Sequence, residues 1–237
     1  MNQETVDCLS AATLACADKS LRGALDGRAS FPLIQRTFGQ LAYAHAWQAM
    51  INFTSRRGAN TPDELWICEH PPVYTLGLAG KVEHLICDNG IPLVKIDRGG
   101  QITYHGPGQV VIYLLLDLAR RGLKVRELVG RIEQAVIDLL AENGVAAKRQ
   151  AGAPGVYVEQ GEALSKIAAL GLRVRRNGCY HGLSLNVDMD LSPYAAINPC
   201  GYAGMPVTQT RDLGIKLSPA QTAKALAGHL VAQLERA

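Results

Sequence analysis

Apolar residues recur at helical spacing through Val125, Leu128, Val129, Ile132, Val136, Leu139 and Leu140, and Asn143-Gly144 follows as a stop, so one face of a helix there is built for burial. Just upstream, Val110-Val111-Ile112-Tyr113-Leu114-Leu115-Leu116 is apolar without alternation. Bounded by turn residues, it predicts a buried strand over 109–116. Shorter β-rich runs predict strands over 65–69 and 93–96, the first broken by His70-Pro71-Pro72. Residues 41–55 read as a helix ending in a turn at Arg57-Gly58-Ala59-Asn60. Beyond residue 150, segments 155–158, 164–174 and 180–187 read as an antiparallel meander turning at Gln160-Gly161 and Asn177-Gly178. A last helix opens at Ser218-Pro219, a capping serine with proline at the first helical position.

These elements predict one α/β (α+β) domain over 31–237, a mixed β-sheet with packed helices. The weakly patterned residues 1–30 are expected to form an extension, partly helical and partly disordered. A doubly wound nucleotide fold is excluded, because Arg98-Gly99-Gly100 lies between two predicted strands and does not open a helix.

Composition narrows the classes. With 237 residues, 48% of them hydrophobic, the chain can bury a substantial core. Its longest apolar run is far below the ~18 residues of a membrane span, and Met1-Asn2-Gln3-Glu4 lacks a basic signal start, so a cytoplasmic protein away from membranes is expected. Six scattered cysteines predict reduced thiols. A net charge of +3 is too mild to imply nucleic acid, and no helix-turn-helix pattern is present. Lys148, Arg149, Arg173, Arg175 and Arg176 cluster around the predicted hairpins and would favour acidic protein partners.

Two segments carry candidate chemistry. Cys200, in Asn198-Pro199-Cys200-Gly201, is the candidate nucleophile. Pro199 restricts the backbone ahead of it, and Gly201 would leave backbone N–H groups open to an oxyanion. The same cysteine could equally be a buried structural residue. Lys166 lies in an apolar setting on a predicted strand, sharing a face with Leu164 and Ala168; burial of its ammonium would need an anionic partner such as a thiolate. A solvated lysine on an edge strand is the commoner fate and is slightly favoured by these residues alone. The second segment, Arg98-Gly99-Gly100-Gln101-Ile102-Thr103-Tyr104-His105-Gly106-Pro107-Gly108-Gln109, has four glycines and a proline. It can line a pocket with backbone donors, with Arg98 or His105 holding a polar part of a substrate. Two Cys-x-His pairs, Cys68/His70 and Cys179/His181, could in principle form a zinc site, but their spacing is not that of zinc knuckles and no metal is expected.

Taken in order, these segments resemble the octanoyltransferases of lipoate biosynthesis, from about Tyr43 to the C-terminal region. The resemblance rests on Glu69-His70-Pro71-Pro72-Val73-Tyr74-Thr75-Leu76-Gly77, the glycine-rich stretch, Gly152-Ala153-Pro154-Gly155-Val156-Tyr157, Lys166-Ile167-Ala168-Ala169-Leu170-Gly171-Leu172, His181-Gly182-Leu183-Ser184-Leu185-Asn186 and Asn198-Pro199-Cys200-Gly201. It implies a fold shared with biotin and lipoate protein ligases and makes residues 31–237 a catalytic domain. It implies that Cys200 carries an acyl thioester and that Lys166 lowers its pKa and accepts a proton. Arg98, Gly99, Gly100, Gln101, Ile102, Thr103, Tyr104, His105, Ala169, Leu170, Gly171, Gly182, Leu183 and Ser184 would line the acyl pocket. The implied donor is octanoyl-acyl carrier protein. The implied acceptors are lipoyl domains of 2-oxoacid dehydrogenases and the glycine cleavage H protein, in the first step of endogenous protein lipoylation. Neither cofactor nor ATP is implied, and the expected state is a monomer. The rival readings are an ATP-dependent ligase on the same fold and a non-catalytic binder of these partners.

Overall fold

A computed structural model describes residues 33–176 and 178–236; the expected extension over residues 1–30 lies outside them. The described residues form a seven-stranded mixed sheet, a three-stranded sheet and three α-helices. In chain order these are β1 (Leu33–Gln40), α1 (Tyr43–Ser55), β2 (Asp63–Glu69), β3 (Val73–Leu76), β4 (Leu93–Lys95), β5 (Ile102–His105), β6 (Gln109–Asp117), α2 (Val125–Glu142), β7 (Lys148–Gln150), β8 (Ala153–Gln160), β9 (Ala163–Arg175), β10 (Gly178–Asn186) and α3 (Pro219–Glu235). The large sheet runs β1-β2-β6-β10-β9-β8-β7 and the small one β4-β3-β5.

Strand β6 explains its own composition. Val110, Ile112, Leu114 and Leu116 join a core with α2 and α3, while Val111, Tyr113 and Leu115 join a second core with Ala46 and Met50 of α1. A strand buried on both faces needs no polar alternation. Helix α2 buries Leu128, Ile132, Ala135, Val136, Leu139 and Leu140, as its periodicity predicts, but Val125 in its first turn is exposed and Val129 half-buried. Ser218 caps α3 and makes a reciprocal capping box with Gln221, with Pro219 at the first helical position.

Four strands escape the sequence reading. β1 and the three-residue β7 are edge strands of the large sheet with little burial. β3 follows directly on Pro71-Pro72, and β5 lies inside the glycine-rich stretch that reads as a connection. The last turn is also displaced. Gly178 already pairs with Arg175, so it belongs to β10, and Arg176 takes a positive φ of 49°; Asn177 lies outside the described residues. Likewise Gln160 pairs with Ala163, which shifts that turn to Gly161-Glu162.

A buried acid fastens the end of the sheet. The Asp63 carboxylate is fully buried and accepts hydrogen bonds from Arg57 (2.8 Å), Arg120 (2.7 Å), Arg121 (2.5 Å) and the Asp117 N–H (2.9 Å). Charge-assisted bonds from three guanidinium groups compensate its desolvation.

Candidate active site

Between the α1 face of the large sheet and the small sheet runs a groove of about 480 Å³, counting its open mouth. Twelve of the fourteen residues expected to line a pocket do so: Arg98, Gly100, Gln101, Ile102, Thr103, His105, Ala169, Leu170, Gly171, Gly182, Leu183 and Ser184. The other two sit off its wall. Gly99 donates its N–H to Leu172 O (3.0 Å), and Tyr104 packs with Tyr74 and Tyr194 in the core of the small sheet. Tyr43, Val111, Tyr113 and His181 also line the groove, and sequence pattern does not single them out for it.

A smaller cavity adjoins the groove through shared Thr103 and Ala169, and both Lys166 and Pro199 line it. Lys166 is buried, 4% exposed, on an interior strand of the sheet, so the solvated edge reading does not hold. Nor does its expected partnership with Ala168. The register slips where Val156 and Tyr157 face Ala168 and Lys166, which inserts one extra residue into β9. Ile167 and Ala168 both enter the main core as well as touching the smaller cavity, while Lys166 lines that cavity, Gly171 the groove and Ala169 both. The Lys166 N–H donates to Pro206 O (2.8 Å), and Lys166 O accepts from the Thr208 N–H (3.0 Å), anchoring the bulge. Its ammonium lies 5.2 Å from the Tyr157 ring centroid, within cation–π range. Its aliphatic stem crosses Gly155, whose φ is +141° and where a Cβ would come within 2.6 Å of Lys166 Cε.

Cys200 belongs to a one-turn 3-10 helix, Pro199–Gly201; its side chain lies outside the described residues. The turn is held by the Asn198 N–H on His84 O (2.8 Å), beside a bridge between Leu85 and Ile197. Of the backbone N–H groups expected to be open to an oxyanion, those of Gly201 and Tyr202 are engaged, by Asn198 O (2.9 Å) and Pro199 O (3.1 Å).

The far end of the groove is polar. Arg98 directs its guanidinium to Thr75 O, Thr75 Oγ1 and Gly99 O, bracing the glycine-rich loop. His105 Nδ1 lies 2.7 Å from Gln109 Oε1, and His70 Nε2 lies 2.6 Å from the Tyr113 hydroxyl. Burial pushes His105 down to about 3, helped by His70, and His70 down to about 4. Asp97 accepts from Trp47 Nε1 (2.8 Å), the Tyr180 hydroxyl and His181 Nε2 (3.1 Å). Burial opposes its charge, but these donors outweigh it and hold the carboxyl well below its ordinary range.

The two Cys-x-His pairs do not converge. His70 is engaged with Tyr113, whereas the Cys179 thiol points into the main core toward Leu114 O. Among the described residues, no group of three or more His, Cys, Asp or Glu is placed to hold a metal ion. The basic residues also separate. Lys148, paired with Glu159, sits level with Lys166, while Arg175 lies nine residues along β9, eight strand steps past the bulge or roughly 26 Å away.

The family model described as lipoyl protein ligase A/B catalytic domain matches residues 41–231. An octanoyltransferase of Dechloromonas aromatica is 66% identical over 206 residues, covering 86% of this chain and 98% of that protein. The chain belongs to the octanoyltransferase family. An octanoyltransferase of Thiobacillus denitrificans is 64% identical, covering 82% of this chain and 87% of its own. Among solved structures, a bi-partite lipoate protein ligase from Thermoplasma acidophilum superimposes with a TM-score of 0.63 at 16% identity, covering 84% of this chain and 83% of that one. That likeness confirms the fold expected from the resemblance. As a member of the octanoyltransferase family the chain is an acyltransferase, and among its described residues no helix is long and apolar enough to cross a membrane.

Proposed function

We propose that this chain moves an octanoyl group from octanoyl-acyl carrier protein to a lysine of lipoyl domains through an acyl thioester on Cys200. Lipoyl domains of 2-oxoacid dehydrogenases and the glycine cleavage H protein are the acceptors. The observation that carries the reading is the buried Lys166, placed by a β-bulge in the cavity that Pro199, next to Cys200, also lines. A buried ammonium in that cavity favours a thiolate beside it.

In the first half-reaction the Cys200 thiolate attacks the thioester carbonyl of the carrier-bound acyl group. The carbon–sulfur bond to the carrier breaks, and the departing thiolate takes a proton from the Lys166 ammonium. Octanoyl is now on Cys200 and Lys166 is neutral. In the second half-reaction the acceptor lysine amine attacks the new thioester and gives its proton to Lys166. Cys200 leaves as thiolate beside the restored ammonium, and the product is an amide. A thioester is already activated, so no ATP enters the balance. The groove beyond Ala169 would hold the alkyl chain, where each buried methylene contributes about 0.8 kcal/mol.

The test is transfer from octanoyl-acyl carrier protein to a lipoyl domain without nucleotide, followed by the mass of the acceptor. Transfer that is lost in Cys200→Ser supports the reading. Modification that survives Cys200→Ser and requires ATP and free octanoate would instead identify a ligase on the same fold. Stable binding of both partners with no modification would identify a non-catalytic binder.

A further inference from the structure

We propose that His181, held from behind by Asp97, is the end wall of the acyl groove and sets the longest acyl chain the groove accepts. The proposal rests on the acyltransferase reading above and concerns the same groove.

The first observation is backbone strain. His181 lies in the middle of β10, nine residues buried throughout, yet has φ = 63°. Left-handed backbone at a non-glycine residue costs about 1–3 kcal/mol and persists where the surroundings impose it. Its effect here is to break the alternation of the strand. Cys179 and Leu183 face the main core, and regular pleating would send His181 with them. Instead its ring lies beside that of Tyr180, with centroids 5.0 Å apart and 29° between planes, and lines the groove.

The second observation is its hydrogen bonding. Asp97 can only accept, so His181 Nε2 carries the proton they share (3.1 Å). Asp97 is itself fixed by Trp47 and Tyr180. Nδ1 is then a bare acceptor, buried and without a hydrogen-bond partner, on a residue 1% exposed. An alkyl chain pressed on that atom cannot satisfy it, and burying a polar atom against methylenes is unfavourable.

The third observation is length. His181 pairs with Leu172 on β9. From Lys166 to Leu172 is six residues, one of them absorbed by the bulge, leaving five strand steps or roughly 17 Å. An extended eight-carbon chain measures roughly 9 Å from carbonyl carbon to methyl, at about 1.25 Å per zig-zag bond. Of the remaining roughly 8 Å, about 4 Å is the van der Waals contact at the tip, which leaves room for about three more methylenes. Beyond about eleven carbons each further methylene would drive the chain into the imidazole.

The experiment compares kcat/KM for carrier thioesters of eight, ten, twelve and fourteen carbons in the native protein, His181→Gly and His181→Asn. Glycine relieves the strain and removes the wall; asparagine tolerates the left-handed backbone and keeps a polar end. A methylene that gains burial is worth about fourfold, so His181→Gly is expected to raise the fourteen-to-eight-carbon ratio at least tenfold, with the shorter polar His181→Asn falling between it and the native ratio. Circular dichroism establishes that each variant is folded. Folded His181→Gly that transfers octanoyl with an unchanged ratio overturns the proposal. So does native protein that takes tetradecanoyl as well as octanoyl, a result that needs no variant. Native protein that transfers no acyl group of any length overturns the acyltransferase reading itself.

Discussion

The stem of Lys166 lies across Gly155, so the placement of the lysine can be disturbed without touching its chemistry. A Cβ at residue 155 would stand 2.6 Å from Lys166 Cε, 2.8 Å from Ala168 O and 3.2 Å from Lys166 Nζ. Carbon contacts normally begin near 3.5 Å, so the lysine must retreat by about 1 Å or β8 must part from β9. Misplacing a reacting group by about 1 Å costs on the order of 100-fold in rate. Gly155→Ala is therefore expected to lower kcat for octanoyl transfer about 100-fold. Backbone strain at φ = +141° adds a stability loss of about 1–3 kcal/mol. The control is Gly152→Ala on the same hairpin, where φ is +76° and a Cβ would meet nothing within 4 Å. It carries the strain and spares the lysine. Stopped-assay transfer rates and thermal unfolding of both variants separate the two effects. If folded Gly155→Ala transfers octanoyl at the same rate as Gly152→Ala, the position of Lys166 does not govern the reaction.

Two further outcomes concern stability. Asp63→Ala would leave Arg57, Arg120 and Arg121 gathered without the carboxylate they share and is expected to cost about 3–5 kcal/mol; a urea-unfolding change under about 1 kcal/mol would contradict this. His70 and His105, pushed down by burial to about 4 and about 3, stay neutral in the native protein at pH 5, whereas the unfolded chain protonates them below ~6.5. The stability they lend is complete above pH ~6.5 and is lost as pH falls toward the native values. Between pH 7.5 and 5.0 the unfolding free energy should drop by about 4 kcal/mol for the two together, and an unfolding midpoint in urea that does not move would refute it.

Helical periodicity and caps in this chain were legible because each is local: the α2 stripe, the Asn143-Gly144 stop and the Ser218–Gln221 box need no distant partner. The β6 run was equally plain, since burial on both faces writes itself as unbroken apolar residues. Edge strands β1 and β7 left no such mark. β5 was hidden because its four buried residues sit among glycines that read as a loop. Within the site, the ordered motifs located the groove wall, but two features of long-range origin did not show. The bulge at Lys166 depends on pairing with β8 and with Pro206–Thr208, and it inverts the face that simple alternation assigns. The flipped backbone of His181, and Asp97 behind it, arise from tertiary packing around one ring. A separation of roughly 26 Å along the strands between Lys148 and Arg175 likewise follows from strand order, not from nearness in sequence.

The acyl-enzyme is the step on which the mechanism turns, and intact mass reads it directly. Native protein and Cys200→Ala are each incubated with octanoyl-acyl carrier protein in the absence of a lipoyl domain. The mechanism predicts one added octanoyl group on the native chain, removed by hydroxylamine and missing from the variant. An unmodified native chain alongside demonstrably intact carrier, or an adduct that persists in Cys200→Ala, would contradict it.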